Sequence, residues 1–411
     1  MAINGTRNHI ILAPNRKGLG EAILGVRLAY DLQSAGEGVF FLSHESNSKL
    51  VQDFPHLIFG SHASPLIPLY IENCIKECRA SSLILSDYFT TGIFFDAARL
   101  DPRILTSFNI PVFAIDTWDS GKSPGRIDVF CDSAQPVITW PNQVTSLCPV
   151  PFLSPHSTNG AYRSLPERPQ LTVRSRNDLR CSLGLEETSR TVLFCTAEWQ
   201  HMQYESDAAI RLSAMLPTLI ADYLSALGSS VHLVHVGPQP YNLKQQLNGH
   251  YHWLPPLKPK DFDELLASMD LVLSANISAT TIAKAMVCCV PVLVLQNSVS
   301  GASREEVEAA RGQAFSSRLE HWLDEVIPLF PFALWPVGYY RFLAPLLHDN
   351  PYVRAVRVAE VLDEHGVENA LAGLLFNQVT REEQIHRQTM YLSQVQSLPT
   401  GAQVIQAALG D

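Results

Sequence analysis

Asn276, Ser278, Thr280 and Thr281 stand between an apolar run, "DLVLSA" (270–275), and a segment with helical spacing, 278–287. A strand that passes directly into a helix leaves the first-turn N–H groups of that helix without intrahelical acceptors. With hydroxyls added at the C-terminal edge of a parallel sheet, such a turn is an anion site suited to phosphate. Lys284, a turn further on, brings a cation to the same neighbourhood. Trp253 lies upstream in "WLPPLKPKDFDELL", where an aromatic face can stack on a base. Other strand ends add polar groups: "TAEWQHMQ" (196–203), with Thr196, Glu198 and His201, and Gln296 at the close of "PVLVLQ" (291–296).

A second constellation reads as acid–base chemistry. In "APNRKGLGEAILGVRLAYDL" (13–32), glycines 18, 20 and 25 suggest close backbone approach, but Glu21 puts a negative charge there that a phosphate cradle would reject. Glu21 is read either as a base that takes a proton from an acceptor or as a carboxylate favouring the positive end of the following helix. His44 in "SHES" (43–46) and Asp116 in "AIDTWDS" (114–120) sit at other strand ends, as catalytic groups or as ordinary turn residues. Asp87, closing "SLILSD" (82–87), fits a helix cap, and "DFD" (261–263) fits capping of the helix that follows better than metal binding. The eight cysteines include no CxxC and no Cys/His grouping of zinc type, so no metal is expected.

These side chains need a scaffold that gathers strand ends, and the periodicity supplies one. "HIILAP" (9–14), "VFFLSH" (39–44), "LIFG" (57–60), "SLILSD" and "VFAID" (112–116) are apolar runs bounded by turns, with helices at Ala22–Ser34 and 68–79. Leu24, Leu28 and Leu32, at i, i+4 and i+8, mark the buried face of the first helix. From Leu153 to Arg180 the chain is rich in Pro, Ser and Arg without periodicity, and reads as a connection. Alternation then restarts with "TVLFCTAE" (191–198), a helix over 207–227, "VHLVHVG" (231–237), a helix at 261–269, "DLVLSA", the 278–287 helix and "PVLVLQ". Strands alternating with helices imply parallel sheets wound on both faces. The expected domains are 1–165, 181–379 and a helical segment, 380–411, packing back on the first. The polar stretch 297–325 is open between a surface helix, a lid and partial disorder; "FPFALWPVGYYRF" (330–342) is open between packing and an acceptor wall.

Composition narrows the function. With 46% hydrophobic residues the 411-residue chain can fill two cores, and a net charge of −10 argues against nucleic acid as a partner. No run reaches the ~18 apolar residues of a membrane span, and no secretory leader opens the sequence, so a cytoplasmic location is expected.

The stretch 253–296 resembles the donor-nucleotide motif of GT-B glycosyltransferases, similar to the plant-type motif that begins W-x-P and runs to a G-x-x-S-x-x-E box and a G-V-P turn. Aligned back from Pro291 without a gap, Trp253 falls on the tryptophan at the base, Asn276 on a phosphate-binding His, Ser278 on the Gly and Thr281 on the phosphate-binding Ser or Thr. Leu254, Ala279, Thr280, Thr196 and Gln296 complete the nucleotide set that the resemblance implies. Lys284 stands where the family carries a ribose-binding Glu, and Cys289 replaces the Gly before Val-Pro. A lysine cannot accept from ribose hydroxyls, so Lys284 is expected to touch phosphate, or the donor is a 2′-deoxy nucleotide. "GLGEAILGVRLAYDL" is similar to the G-x-G-H-x-x-P-x-x-x-L-A-x-x-L loop–helix of the same enzymes, with Glu21 in the place of the His that often supplies the base.

The resemblance implies the GT-B fold, α/β, with two Rossmann-like doubly wound domains facing across a cleft. It implies a metal-independent, hexosyltransferase-like enzyme that moves a sugar from a nucleotide-sugar donor, UDP or dTDP, to a small-molecule acceptor, with Glu21, His44 and Asp116 as the catalytic set and no further cofactor. A homodimer stays open. The rival readings are a GT-B nucleotide-sugar epimerase or hydrolase, and a non-catalytic nucleotide-binding relative.

Overall fold

The computed structural model describes residues 6–14, 19–119, 126–130, 133–136, 140–155, 160–186, 188–197, 207–228, 230–299, 303–326 and 346–410; the side chains at 19, 21, 126–136 and 207–214 lie outside that description. The chain forms two compact units. One comprises Met1–Arg126, Pro136–Leu165 and Ser393–Asp411, the other Ile127–Gln135 and Pro166–Leu392.

The first unit runs β1 (Asn8–Ala13), α1 (Leu19–Ser34), β2 (Gly38–His44), α2 (Ser48–Val51), β3 (His56–Phe59), α3 (Ile67–Cys78), β4 (Ser82–Leu85), α4 (Tyr88–Ala97) and β5 (Val112–Ile115). β6 (Arg126–Phe130) and β7 (Ser133–Pro136), which form a separate two-stranded sheet and fall almost wholly in the second unit, interrupt it, and β8 (Val144–Val150) and β9 (Ala161–Arg163) complete it. The main sheet has the order β3-β2-β1-β4-β5-β8-β9, with every neighbouring pair parallel. Successive residues of β1 serve opposite faces: Ile10 and Leu12 pack with Phe40, Leu83 and Ile71, whereas Ile11 packs with Leu28, Phe41 and Phe113. Burial on both faces is why these strands read as unbroken apolar runs. Leu24, Leu28 and Leu32 form the buried stripe of α1, as their spacing predicts.

The second unit contains α5 (Val173–Ser182), β10 (Arg190–Cys195), α6 (Asp207–Ser225), β11 (Val231–Val236), β12 (Tyr251–Leu254), α7 (Pro259–Ser268), β13 (Leu271–Ser274), α8 (Thr280–Val287) and β14 (Val292–Gln296). There follow α9 (Arg304–Arg311), α10 (Ser317–Val326), α11 (Pro351–Ala355), β15 (Arg357–Glu360), α12 (Glu364–Phe376) and α13 (Gln378–Gln396). Its sheet, β12-β11-β10-β13-β14-β15, is also parallel throughout. The polar stretch 297–325 resolves into α9 and α10, which bury Val307, Leu319, Trp322 and Leu323 against Leu219, Tyr223 and Leu371.

The last helix, α14 (Gly401–Leu409), belongs to the first unit, where Ala402 and Ile405 join Leu28 and Tyr162. The segment 380–411 is thus two helices separated at Leu398–Pro399. Along α13, Gln384 and Gln388 donate to the carbonyls of Val292 and Val290 at 2.7 and 3.2 Å, so this part of the segment packs within the second unit. The 153–180 connection also proves to hold structure, β9 and much of α5.

Candidate functional site

In parallel sheets of this kind, ligands settle at the C-terminal edge where the strand order reverses. In the second sheet that point lies between β10 and β13. Beyond β13 the carboxamide oxygen of Asn276 accepts from the Ser278 N–H at 3.0 Å and from the Ser278 hydroxyl at 2.8 Å. The Tyr352 hydroxyl donates to the Ile277 carbonyl at 2.8 Å and ties the same turn to α11. Asn276 and Ser278 therefore shape the turn with their polar atoms. The helix begins later than its spacing predicts, at Thr280, with Ala279 as an N-cap whose side chain bonds nothing. The half-buried Thr280 and Thr281 thus bring N–H groups without intrahelical acceptors, and two hydroxyls, to this edge.

Lys284 has a partner within its own unit that its position in the motif does not announce. Its ammonium forms an ion pair with the Asp263 carboxylate on α7 and lies 5.3 Å from the centre of the Phe262 ring. The two charged side chains are 12% and 24% exposed. The "DFD" motif splits: α7 starts at Pro259, earlier than expected, so Asp261 stands in its first turn while Asp263 lies inside the helix as the counter-ion of Lys284. At the end of β10 burial pushes the Cys195 thiol up to about 12, with Lys284 opposing the shift.

Thr196, just past β10, is held by groups that periodicity alone does not flag. Its hydroxyl lies 2.8 Å from His235 Nε2, and His235 Nδ1 lies 2.9 Å from the Tyr251 hydroxyl, which accepts from the Tyr241 N–H at 2.9 Å. A Cβ on Gly237 would sit 2.1 Å from the Thr196 hydroxyl and 2.6 Å from His235 Nε2, so only glycine admits this approach. The one sequence signal for this set is a histidine repeated inside an apolar strand, "VHLVHVG". Two strands along, Trp253 donates its indole N–H to the Gly237 carbonyl at 3.0 Å and keeps 36% of its surface exposed, next to the half-buried Leu254. On the other flank Gln296 donates to Glu360 at 2.8 Å, and Glu360 also accepts from the Ser298 N–H at 2.8 Å. Asn297 is fully buried, and its carboxamide nitrogen has no partner among the described residues.

The first sheet reverses between β1 and β4. Glu21 is the third residue of α1, at the helix end nearest this edge; its side chain, like residues 15–18, lies outside the described residues, as do Glu198, His201 and the aromatic stretch 330–342. Gly25 lets α1 approach the end of β4, since a Cβ there would meet the Ser86 Cβ at 3.3 Å. His44 is buried with both ring nitrogens engaged: Nδ1 accepts from the Ser46 N–H at 3.2 Å, and Nε2 lies 3.0 Å from the Ser61 hydroxyl. Asp87 caps α4, accepting from the Thr90 N–H at 2.6 Å. Asp116 is buried and accepts from the Trp118 N–H at 3.3 Å and the Ser146 hydroxyl at 3.2 Å. The hydroxyls of Ser86 and Thr91, buried at this edge, have no partner among the described residues.

Two wound parallel sheets, each with a polar switch point, define the GT-B class. Solved structures similar over nearly the whole chain include HepE of Anabaena in complex with UDP and glucose, 12% identical, with 98% of each chain covered and a TM-score of 0.55. Others are the spinosyn rhamnosyltransferase SpnG complexed with thymidine diphosphate (12% identical, 98% of this chain and 100% of that one, TM-score 0.51) and the glycosyltransferase VinC in complex with dTDP (13%, 97% and 98%, TM-score 0.54). At such identities the likeness establishes the fold, which is GT-B. The chain belongs to a family of unknown function (DUF6365), whose pattern matches residues 28–411. No curated protein matches it by sequence. Among the described residues no helix is long and apolar enough to cross a membrane.

Proposed function

We propose that this protein is a glycosyltransferase that moves a sugar from a nucleotide-sugar donor to a small-molecule acceptor. The observation that carries the reading is the start of α8: Thr280 and Thr281 present free N–H groups and hydroxyls at the switch point of the second sheet, on a turn fixed by Asn276 and Ser278. Trp253 stands three strand spacings away, about 14 Å, a span that an extended nucleoside diphosphate can bridge. The base then stacks on Trp253 beside Leu254, and the diphosphate meets the helix start from Ala279 to Thr281, with Thr196 and Gln296 flanking it. As the bond from the sugar to the diphosphate breaks, the leaving oxygen takes the electron pair, and the aligned N–H groups stabilise that charge without calling on a metal.

Acceptor activation falls to the first unit. His44 is bonded to Ser46 and Ser61, and Asp116 to Trp118 and to Ser146 of β8, so Glu21, in the first turn of α1, is the preferred base. Lys284, paired with Asp263, is assigned to holding α7 against α8, so nothing in its place clamps the ribose hydroxyls. UDP and dTDP are the candidate nucleotides. UDP was bound in HepE and dTDP in VinC.

Calorimetry with UDP, dTDP, GDP, ADP and CDP tests the donor site. One nucleotide should bind, and Thr281→Ala should weaken it by about 0.5–1.5 kcal/mol, towards the upper end because the lost contact is charge-assisted. Unchanged affinity in the variant would remove the helix start from the reading. Product analysis with the matching nucleotide sugar then decides between transfer, hydrolysis and epimerisation.

A further inference from the structure

Asp270 precedes β13 at the N-terminal edge of the second sheet, the edge opposite the nucleotide site, and four arginines reach it. Arg176 and Arg180 come from α5, Arg190 is the first residue of β10, and Arg381 comes from α13. Oxygen Oδ2 is filled: it accepts from Arg180 at 3.2 Å, from the Thr191 N–H at 3.0 Å and from the Thr191 hydroxyl at 2.9 Å. Oδ1 faces three guanidinium groups at once, with nitrogens of Arg176, Arg190 and Arg381 at 3.4, 3.8 and 3.9 Å. Only the first of these is a hydrogen bond.

Four cations thus share one carboxylate, a local surplus of three positive charges in a chain whose net charge is −10. Among the described residues Asp270 is the only carboxylate in ion-pair reach of any of them. Arg180 is sealed in, 7% exposed, and spends further donors on the Ser189 and Ser268 carbonyls. Arg176 and Arg190 differ, with side chains 40% and 42% exposed, and Arg381 keeps 24%. The Arg190 guanidinium donates no hydrogen bond among the described residues. Burial holds the Arg381 guanidinium below its ordinary range, and Arg176 and Arg190 push it further down against the pull of Asp270. Arg176 also donates to the Ser268 carbonyl at 3.3 Å and Arg381 to the Asp270 carbonyl at 3.0 Å, but the remaining nitrogens of these forks and the whole Arg190 fork stay without hydrogen bonds among the described residues, and the guanidinium charges outnumber the one carboxylate.

We propose that Arg176, Arg190 and Arg381 form an oxyanion site at the N-terminal edge of the second sheet, and that its ligand is a dianionic phosphoryl group. Guanidinium forks match phosphoryl oxygens in geometry and charge. Their convergence on one point from three separate elements suits a compact tetrahedral group with several oxygens, rather than an extended polyanion, which would call for a stripe of cations. The site stands apart from the nucleotide edge and does not depend on how that edge is used.

The test titrates the full-length protein with sodium phosphate, against sodium chloride at matched ionic strength, reading calorimetric heat and the thermal unfolding midpoint. Saturable phosphate binding is expected, at least about tenfold weaker in Arg190→Gln and in Arg176→Gln. Thr281→Ala should bind phosphate at this site as the wild type does. Arg190 makes no hydrogen bond that a fold would miss, so Arg190→Gln should keep the wild-type circular dichroism and nucleotide affinity. Glycerol phosphate, titrated in parallel, separates the sources: tighter binding than inorganic phosphate assigns a phosphate ester, weaker binding the free ion. The proposal is overturned if phosphate does no more than chloride, if both arginine variants bind it like the wild type, or if Thr281→Ala is the variant that abolishes binding.

Discussion

Replacing Lys284 separates two roles for one ammonium. In the structure it pairs with Asp263, with side chains 12% and 24% exposed, between the regime of surface pairs and that of buried ones. Exposed pairs contribute about 0.2–1 kcal/mol, and removing one partner of a fully buried pair costs about 3–5 kcal/mol. At this intermediate burial, with the Phe262 ring 5.3 Å away adding about 0.5 kcal/mol, Lys284→Met should cost about 2 kcal/mol. For a unit of this size that lowers the unfolding midpoint by about 4–8 °C. Asp263→Asn should cost a similar amount, since either change strands the opposite charge. In the double variant the two costs should overlap by about 1–2 kcal/mol. Urea unfolding followed by circular dichroism measures all four corners of the cycle, and calorimetry on the same samples gives nucleotide affinity, expected to change less than about twofold. A Lys284→Met variant as stable as the wild type, but binding nucleotide tenfold more weakly, would refute the pairing and return the ammonium to the phosphate.

Glu21→Gln keeps the shape of the side chain and removes its charge; if Glu21 is the base, turnover should fall at least about a hundredfold while donor affinity stays within about twofold, and near-normal turnover would leave it a helix-start residue. His232, 2.9 Å from His252, is pushed down to about 4, first by burial, then by His250 and His252, with a further contribution from Arg180. Its folded pKa lies below the unfolded value of 6.5, so its contribution to stability is complete above about pH 6.5 and is lost as the pH falls towards 4. His232→Leu should therefore flatten the decline in urea midpoint between pH 6.5 and 4.5; parallel curves for the two proteins would remove His232 as the cause. A Cβ at Gly401 would lie 2.3 Å from Leu28 Cδ1 and 3.2 Å from the Tyr162 ring, so Gly401→Ala should cost about 1–3 kcal/mol in urea unfolding, and unaltered stability would contradict the docking of α14 on α1.

The wound architecture was legible because both faces of each central strand are covered. The runs Ile10–Ala13 in "HIILAP" and Leu271–Leu273 in "DLVLSA" are apolar and buried, and the leucines of α1 recur at helical spacing. Some strands that lie on an edge or carry polar residues were not legible, although "LIFG", at the edge as β3, was. "RVAE" (357–360) forms the edge strand β15, exposed at Arg357 and half-buried elsewhere, so no apolar run marks it. "VTSLCPV" (144–150) forms β8 despite Pro149, because the apolar contribution comes from its last residues, Leu147 to Val150. The Lys284–Asp263 pair spans 21 residues and exists only because α7 packs on α8, which no local periodicity announces. His235 holding Thr196 is of the same kind, a contact between neighbouring strands that depends on register.

The departures from the donor motif look different once the geometry is known. Asn276 and Ser278 meet each other rather than standing free, and Lys284 meets Asp263. What remains at the start of α8 is mostly backbone, with two threonine hydroxyls. Backbone N–H groups hold an anion whatever side chains surround them, so substitutions at 276, 278 and 284 need not cost the chain its affinity for diphosphate. Of the three positions only 284, where the resembled motif carries a ribose-binding Glu, would have added a side-chain contact to the nucleoside. Under the proposed reading, discrimination falls to the far end of the ligand, at Trp253, which keeps 36% of its surface exposed. A stacked ring tolerates every base, and it distinguishes bases by stacking area more than by hydrogen-bond pattern. Under the proposed reading, phosphate is met by backbone N–H groups and the base by a single aromatic residue. That reading leaves selectivity to the sugar and the acceptor, which product analysis with a panel of nucleotide sugars would measure.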